Sequence, residues 1–196
     1  MSTARRSERY SWKDYLSWSD EERFELVEGV AYAMSPAPRR KHQRMVSELN
    51  RQIANALLES SCHVYPAPFD VKLSGEDADD APTVVQPDLT VVCNADKLTE
   101  QGVTGAPDLV NEIVSPESGY HDRARKFDLY QRYGVSEYWI VDENEDVLEV
   151  FELSNTGSET PQYRRSNAYG REDTVDSAAV PGLKVEPARV FGAGTG

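Results

Sequence analysis

Long apolar runs are missing. No stretch of the 196 residues approaches the roughly 20 consecutive apolar positions that a membrane-spanning helix needs. The charged-then-apolar opening of a secretory leader is not seen either, so no leader is expected. Cysteine is scarce. Cys62 and Cys93 are too few for a disulfide framework and lack the spacing of a metal-binding pair, so reduced thiols in a cytoplasmic protein are expected. Positive charge is also short: 21 Lys and Arg against 34 Asp and Glu leave a net charge of -13. Phosphate contacts dominate nonspecific affinity for nucleic acid, and this balance excludes a simple nucleic-acid coat. It leaves room for an enzyme with a local basic site, or with acids that hold metal ions. What remains is 39% hydrophobic and 28% charged, as in ordinary globular proteins. The length suits one domain over residues 10–196 behind a loose tail at 1–9.

Along the chain, "SWKDYLSWSDEERFELVEG" predicts a short helix, a break near Ser19–Asp20 and a second helix ending at Gly29. "VAYAMS" predicts a strand. From Lys41 to Ser60, Met45, Leu49, Ile53, Ala56 and Leu57 recur at helical spacing and predict an amphipathic helix. "CHVYPAPFDVKL" and "VVQPDLTVVC" read as strands around an acidic loop, "SGEDADDAPT". Residues 107–115 read as another strand, and 119–133 as a helix stopped by Gly134. "EYWIVD" and "VLEVFEL" form a hairpin through "ENED". The C-terminal "QYRRSNAY" and "LKVEPARVF" read as edge strands. With no internal repeat, this is a mixed α/β chain.

The strand "PDLVNEIVS" raises a physical question. Leu109, Val110, Ile113 and Val114 suit a strand buried on both faces, and Glu112 sits among them. A buried carboxylate costs several kcal/mol unless something cationic compensates it. In "VVQPDLTVV", alternation puts Asp88 on the face of Thr90 and Val92. In "LVNEIVS" it puts Glu112 with Val110 and Val114. If the two strands are neighbours, both acids project toward one spot, where they share a proton or bind a cation. Oxygen ligands of this kind suit Mg²⁺. The helix that follows places Asp122, Lys126 and Tyr130 at i, i+4, i+8. From there Lys126 reaches back toward Glu112 to orient an attacking water or offset charge on a phosphorane. The blander alternatives are an ordinary strand-start aspartate at Asp88, a plain ion pair of Lys126 with Glu112 or Asp122, and core roles for Tyr130, Tyr138 and Trp139. His42, beside Arg39, Arg40, Lys41 and Arg44, reads first as part of a basic helix N-terminus.

Four blocks, "ERFELVEG…MSPAPRRKH", "QPDLTVV", "PDLVNEIVSPES…D…K…Y" and "YGVSEYWIVD", resemble the Uma2-type restriction endonuclease family of the PD-(D/E)XK nuclease superfamily. The resemblance spans roughly residues 10–153. It implies a restriction-endonuclease-like α/β fold, with a mixed central β-sheet flanked by helices. It also implies metal-dependent hydrolysis of phosphodiester bonds, with DNA as the partner and Mg²⁺ or Mn²⁺ as the cofactor. Asp88 and Glu112 match the acidic metal ligands. Val114 stands where the superfamily has lysine, and Lys126 on the next helix is the migrated equivalent. Glu25 matches an acidic position on an N-terminal helix; periodicity alone does not separate it from Glu28. Gln86 and His42 fall where the family often carries the same residue types. Two other functions stay open: a catalytically inactive nuclease-fold binding or regulatory module, and a metal-dependent hydrolase of a small phosphorylated substrate. No membrane partner is expected, and a homodimer is left open.

Overall fold

The computed structural model describes residues 9–18, 23–34, 39–74, 82–114, 120–154 and 161–192. The expected tail falls outside them except at Arg9, as does most of the acidic loop. Ser11 caps α1 (Trp12–Tyr15) through a reciprocal capping box with Asp14. The next segment departs from expectation. Phe24 to Val27 is strand β1, not a helix, and it turns directly into β2 (Val30–Ala33). Glu28 and Gly29 both have positive φ, 50° and 82°. Two such residues make the two-residue hairpin turn whose twist matches the flanking strands. Gly29 therefore closes a hairpin and does not end a helix.

The expected amphipathic helix is α2 (Arg40–Ala56), with Met45, Leu49 and Ile53 fully buried along one stripe and Leu57 buried at its end. Two short strands follow, β3 (His63–Pro66) and β4 (Asp70–Lys72). "VVQPDLTVVC" is two strands, β5 (Val84–Val85) and β6 (Leu89–Val92), which lie in different sheets. Gln86, Pro87 and Asp88 cross between them. The remaining strands are β7 (Gly102–Thr104), β8 (Leu109–Val114), β9 (Glu137–Asp142), β10 (Val147–Ser154), β11 (Gln162–Tyr169), β12 (Val175–Asp176) and β13 (Lys184–Val185). Helix α3 (Tyr120–Tyr133) joins β8 to β9 and stops before Gly134, whose φ is 84°. In "LKVEPARVF", only Lys184 and Val185 are strand. Pro187, with its φ preset for a first helical turn, opens α4 (Pro187–Phe191).

Among the described residues the chain has the expected mixed α/β character, with eleven strands in two mixed sheets and β12 paired with β13 in a small third one. Of the two mixed sheets the smaller has the order β2-β1-β5-β4-β7, and the larger β11-β10-β9-β8-β6-β3. Both are mixed because β4–β7 and β8–β9 are parallel pairs among antiparallel ones. Gly102 permits the β4–β7 approach: a Cβ there would lie 2.1 Å from the Asp70 carbonyl oxygen. On one face of the larger sheet, Leu89, Val91, Leu109, Ile113, Trp139 and Val141 receive the stripe of α2. On the other, Val110, Tyr138 and Ile140 meet Leu129 and Tyr130 of α3 and Val27, Val71 and Val85 of the smaller sheet. Each such side chain contributes about 1.5–3 kcal/mol by leaving water. This second layer sets the site, because it stacks α3 and β1 against the face that carries Glu112.

Cys62 and Cys93 are joined in a disulfide, which corrects the expectation of free thiols. The pairing of β3 with β6 sets His63 opposite Val92 and so brings the two flanking cysteines together. Cysteine usage therefore carries no argument for a reducing compartment. Among the described residues no helix is long and apolar enough to cross a membrane.

Candidate active site

Strand β8 pairs antiparallel with β6 in the register Leu89↔Asn111 and Thr90↔Val110. One further step sets Asp88 opposite Glu112. The Ile113 N–H donates to Asp88 Oδ2 at 2.8 Å, which holds the aspartate against β8. Two residues that alternation alone suggested as neighbours are thus neighbours across a strand pair.

Glu112 is 8% exposed, and its compensating cation is Lys126, 7% exposed. The Lys126 Nζ lies 2.9 Å from Glu112 Oε1 and 2.9 Å from Glu25 Oε1, so one ammonium bridges two carboxylates from two sheets. Glu25 is held in turn by the Gln86 N–H, which donates to Oε1 at 3.0 Å. Strand β1 performs here what a helix was expected to do. With Leu26 and Val84 paired and facing α1, the alternate residue Glu25 turns between the sheets toward α3.

Tyr130, one turn after Lys126, donates its O–H to Glu112 Oε1 at 2.7 Å. It is a core residue, as the plain reading had it, and also a partner of the acid. Burial first, and then the charges of Glu112 and Glu25, hold its phenol well above its ordinary pKa, so it remains a donor. The signal for this role was the i+4 spacing from Lys126. His42 also corrects a reading: it belongs to the site, not simply to a basic surface. Its Nε2 lies 3.2 Å from Asp88 Oδ2, so α2 supports the site from its own first turn. Burial would lower the His42 pKa. The Asp88 hydrogen bond and the charges of Asp88, Glu143 and Glu112 outweigh it and raise the pKa. Gln86 contributes its side chain as well as its N–H, since Arg23, Tyr15 and Asp70 all hydrogen-bond its amide. Two other cations, Lys72 and Arg125, are turned elsewhere. Lys72 lies on the opposite face of the smaller sheet, and the Arg125 guanidinium stacks 4.0 Å over the Tyr32 ring.

Asp88 and Glu112 offer the oxygen ligands that a hydrated metal ion takes. Among the described residues no group of three or more acidic, histidine or cysteine side chains is placed to hold a metal ion. Mg²⁺ needs none, because it keeps several waters and accepts one or two carboxylates. Glu112 spends Oε1 on Lys126 and Tyr130, and Asp88 spends Oδ2 on His42 and Ile113. The second oxygen of each acid carries no hydrogen bond among the described residues.

Burial pushes the Glu112 carboxyl up to about 7 from its ordinary 4.5, against the Lys126 charge and with help from Asp88 and Glu25. A raised carboxyl binds a proton in the folded chain that the unfolded chain has released. Its contribution to stability therefore falls as pH rises from 4.5 to about 7 and is level above that. Urea unfolding across this range, wild type against Glu112→Gln, is expected to show a steeper fall of stability with pH in the wild type. Parallel curves would mean that Glu112 is not raised.

Known proteins share this arrangement of elements. A crystal structure from Anabaena variabilis, described as "a putative nuclease belonging to DUF820", superposes with a TM-score of 0.70 at 18% identity, covering 93% of this chain and 97% of that one. "Uncharacterized protein slr1290" of Synechocystis is 24% identical over 153 residues, 76% of this chain and 77% of the relative. The family model described as "Uma2: Putative restriction endonuclease" matches residues 12–188. That span contains both sheets and every acid of the site, and the chain belongs to this family.

Proposed function

We propose that the chain is a metal-dependent endonuclease that hydrolyses phosphodiester bonds in DNA, with Mg²⁺ or Mn²⁺ held by Asp88 and Glu112. The observation that carries this reading is the Lys126 ammonium, set 2.9 Å from both Glu25 and Glu112, with Asp88 one strand away. A buried ion pair alone would need one acid and one base. Here two acids share one lysine, and a third, Asp88, stands beside them paired with His42, a set that suits a site completed by a cation. The family, described as "Putative restriction endonuclease", and the Anabaena neighbour, described as "a putative nuclease", support hydrolysis of nucleic acid.

A bound divalent cation would supply a water of lowered pKa and stabilise charge on the phosphate. The chain's own groups do the rest. Tyr130 and Lys126 hold Glu112 Oε1, which fixes the direction of its other oxygen. Ile113 and His42 do the same for Asp88. Glu25, anchored on the Gln86 N–H, keeps the lysine from collapsing wholly onto Glu112. Lys126 is thereby aimed at the acids, placed to orient the attacking water and offset charge on the phosphorane. Cleavage at the bond to the 3′ oxygen or the 5′ oxygen consumes one water and yields one phosphate monoester and one hydroxyl.

The test is cleavage of supercoiled, linear duplex and single-stranded DNA with Mg²⁺ or Mn²⁺, against EDTA, alongside thermal melting in the same buffers. Cleavage that stops with EDTA is expected. So is a melting point that rises as metal passes its dissociation constant, by about 2.7 kcal/mol of stabilisation at a hundredfold excess. Absence of both cleavage and the metal-dependent rise overturns the reading. A rise without cleavage of any DNA form would instead favour the small phosphorylated substrate.

A further inference from the structure

A second site lies on the far side of the smaller sheet, away from the acids. In β4, Asp70 and Lys72 point to the same face, and Lys72 pairs with Val84, which is buried against Trp12 and Leu26 beneath α1. Lys72 is 6% exposed, yet its ammonium has no carboxylate within ion-pair distance among the described residues. Its one recorded contact is the Trp12 ring, 5.7 Å from Nζ to the centroid. A buried ammonium left without a counter-ion is costly, and a single ring face offsets only part of that cost. The lysine lines a cavity of about 290 Å³ with Trp12, Leu16, Asp70, Thr99 and Thr104.

A neighbouring hollow of about 220 Å³ shares Asp70, Gln101 and Gly102 with the first and continues to Gln86. The trough therefore has a cation at one end, hydrogen-bonding groups along its length, and two acids, Asp70 and Glu100, in its lining. Asp70 is committed: its Oδ1 accepts from Tyr15 Oη at 3.0 Å and from Gln86 Nε2 at 2.8 Å. Its other oxygen is an acceptor, which favours a ligand that carries a hydroxyl beside its anionic group. The volume suits a molecule of a few heavy atoms around one phosphate and excludes a DNA duplex.

We propose that this trough binds a small phosphorylated molecule, with the Lys72 ammonium taking the phosphate and Thr104 and Asp70 taking its hydroxyl groups. The inference does not rest on the nuclease reading, because its ligand contacts, Lys72, Asp70 and Thr104, are not among the acids or the lysine placed there. Gln86 lies at both sites, with its side chain in the trough and its N–H on Glu25.

The probes are inorganic phosphate and ribose 5-phosphate, titrated by calorimetry into the full chain at constant ionic strength. Saturable binding is expected for at least one of them, and stronger for the sugar phosphate if the trough beyond Lys72 is used. Lys72→Met is expected to weaken binding by about tenfold or more, while its unliganded melting point stays at or above wild type. Glu112→Gln is expected to bind both probes as wild type does, which separates this site from the acids. Should Lys72→Met fail to fold, amide shifts of the wild type decide: the amides of Thr99, Gly102 and Thr104 must move with ligand. Binding unchanged by Lys72→Met, amide shifts confined to other regions, or no saturable binding of either probe overturns the proposal.

Discussion

Lys126→Met is expected to reduce DNA cleavage by about two to four decades, the usual worth of a group acting on the transition state. It is also expected to destabilise the fold at neutral pH. Lys126 is the shared partner of Glu25 and Glu112 at 2.9 Å each. Removing one partner of a buried pair costs about 3–5 kcal/mol, since the uncompensated charge remains. The two effects separate by pH. Without the ammonium, the Glu112 carboxyl, already pushed up to about 7 by burial, has lost the largest influence that lowered it. The folded variant then binds its proton more tightly than the wild type does, so its stability recovers as pH falls toward 5. Cleavage does not recover. Lys126→Arg keeps the charge and more of the stability, but a planar fork does not reproduce a point charge between two carboxylates. The measurement is chemical denaturation at pH 5.5 and 8 for all three proteins, with cleavage rates wherever each is folded. A Met variant that is folded and cuts at the wild-type rate would leave Lys126 as an ion-pair partner and nothing more.

The sequence disclosed the acids more readily than the frame that holds them. Asp88, Glu112 and Lys126 were legible because each depends on local periodicity: alternation in two strands, and the i, i+4 spacing that also carries Tyr130. Glu25 was legible as an acid but on the wrong element. "ERFELVEG" has helical spacing, and what decides against a helix is the turn at Glu28 and Gly29, whose positive φ values no apolar pattern reveals. "VVQPDLTVVC" hid its break in the same way. Only the pairing of β5 with β1 and β4, and of β6 with β3 and β8, shows that Gln86 to Asp88 changes sheets. That crossing puts Gln86 on Glu25 and Asp88 on Ile113, so the irregular point in the strand is the point that assembles the site. Contacts between distant segments left no local mark. His42 with Asp88 and Cys62 with Cys93 fall in this class, as does the isolation of Lys72, because each depends on which face of which sheet meets which helix.

Glu112→Gln is expected to abolish both metal-dependent stabilisation and cleavage while leaving the fold as stable as the wild type at pH 8, or more so. The replacement is nearly isosteric. Its amide oxygen still accepts from the Tyr130 O–H, which donates at 2.7 Å in the native chain, and Lys126 keeps Glu25 as its ion pair. What disappears is a charge held in a buried position. The wild type carries that charge above about pH 7 and below it binds a proton that the unfolded chain has released. A group that costs stability unless a cation arrives is what a catalytic site requires and what a structural ion pair does not. Sites shaped for chemistry commonly gain stability when the chemistry is removed. The decisive comparison is melting with and without Mn²⁺ at pH 8, for wild type and Glu112→Gln side by side. The wild type should lie lower without metal and rise with it, while the variant should not move. A wild type that Mn²⁺ does not stabilise, or a Gln variant that melts well below it, would make Glu112 a structural partner of Lys126. The same result would remove the metal from the proposed mechanism.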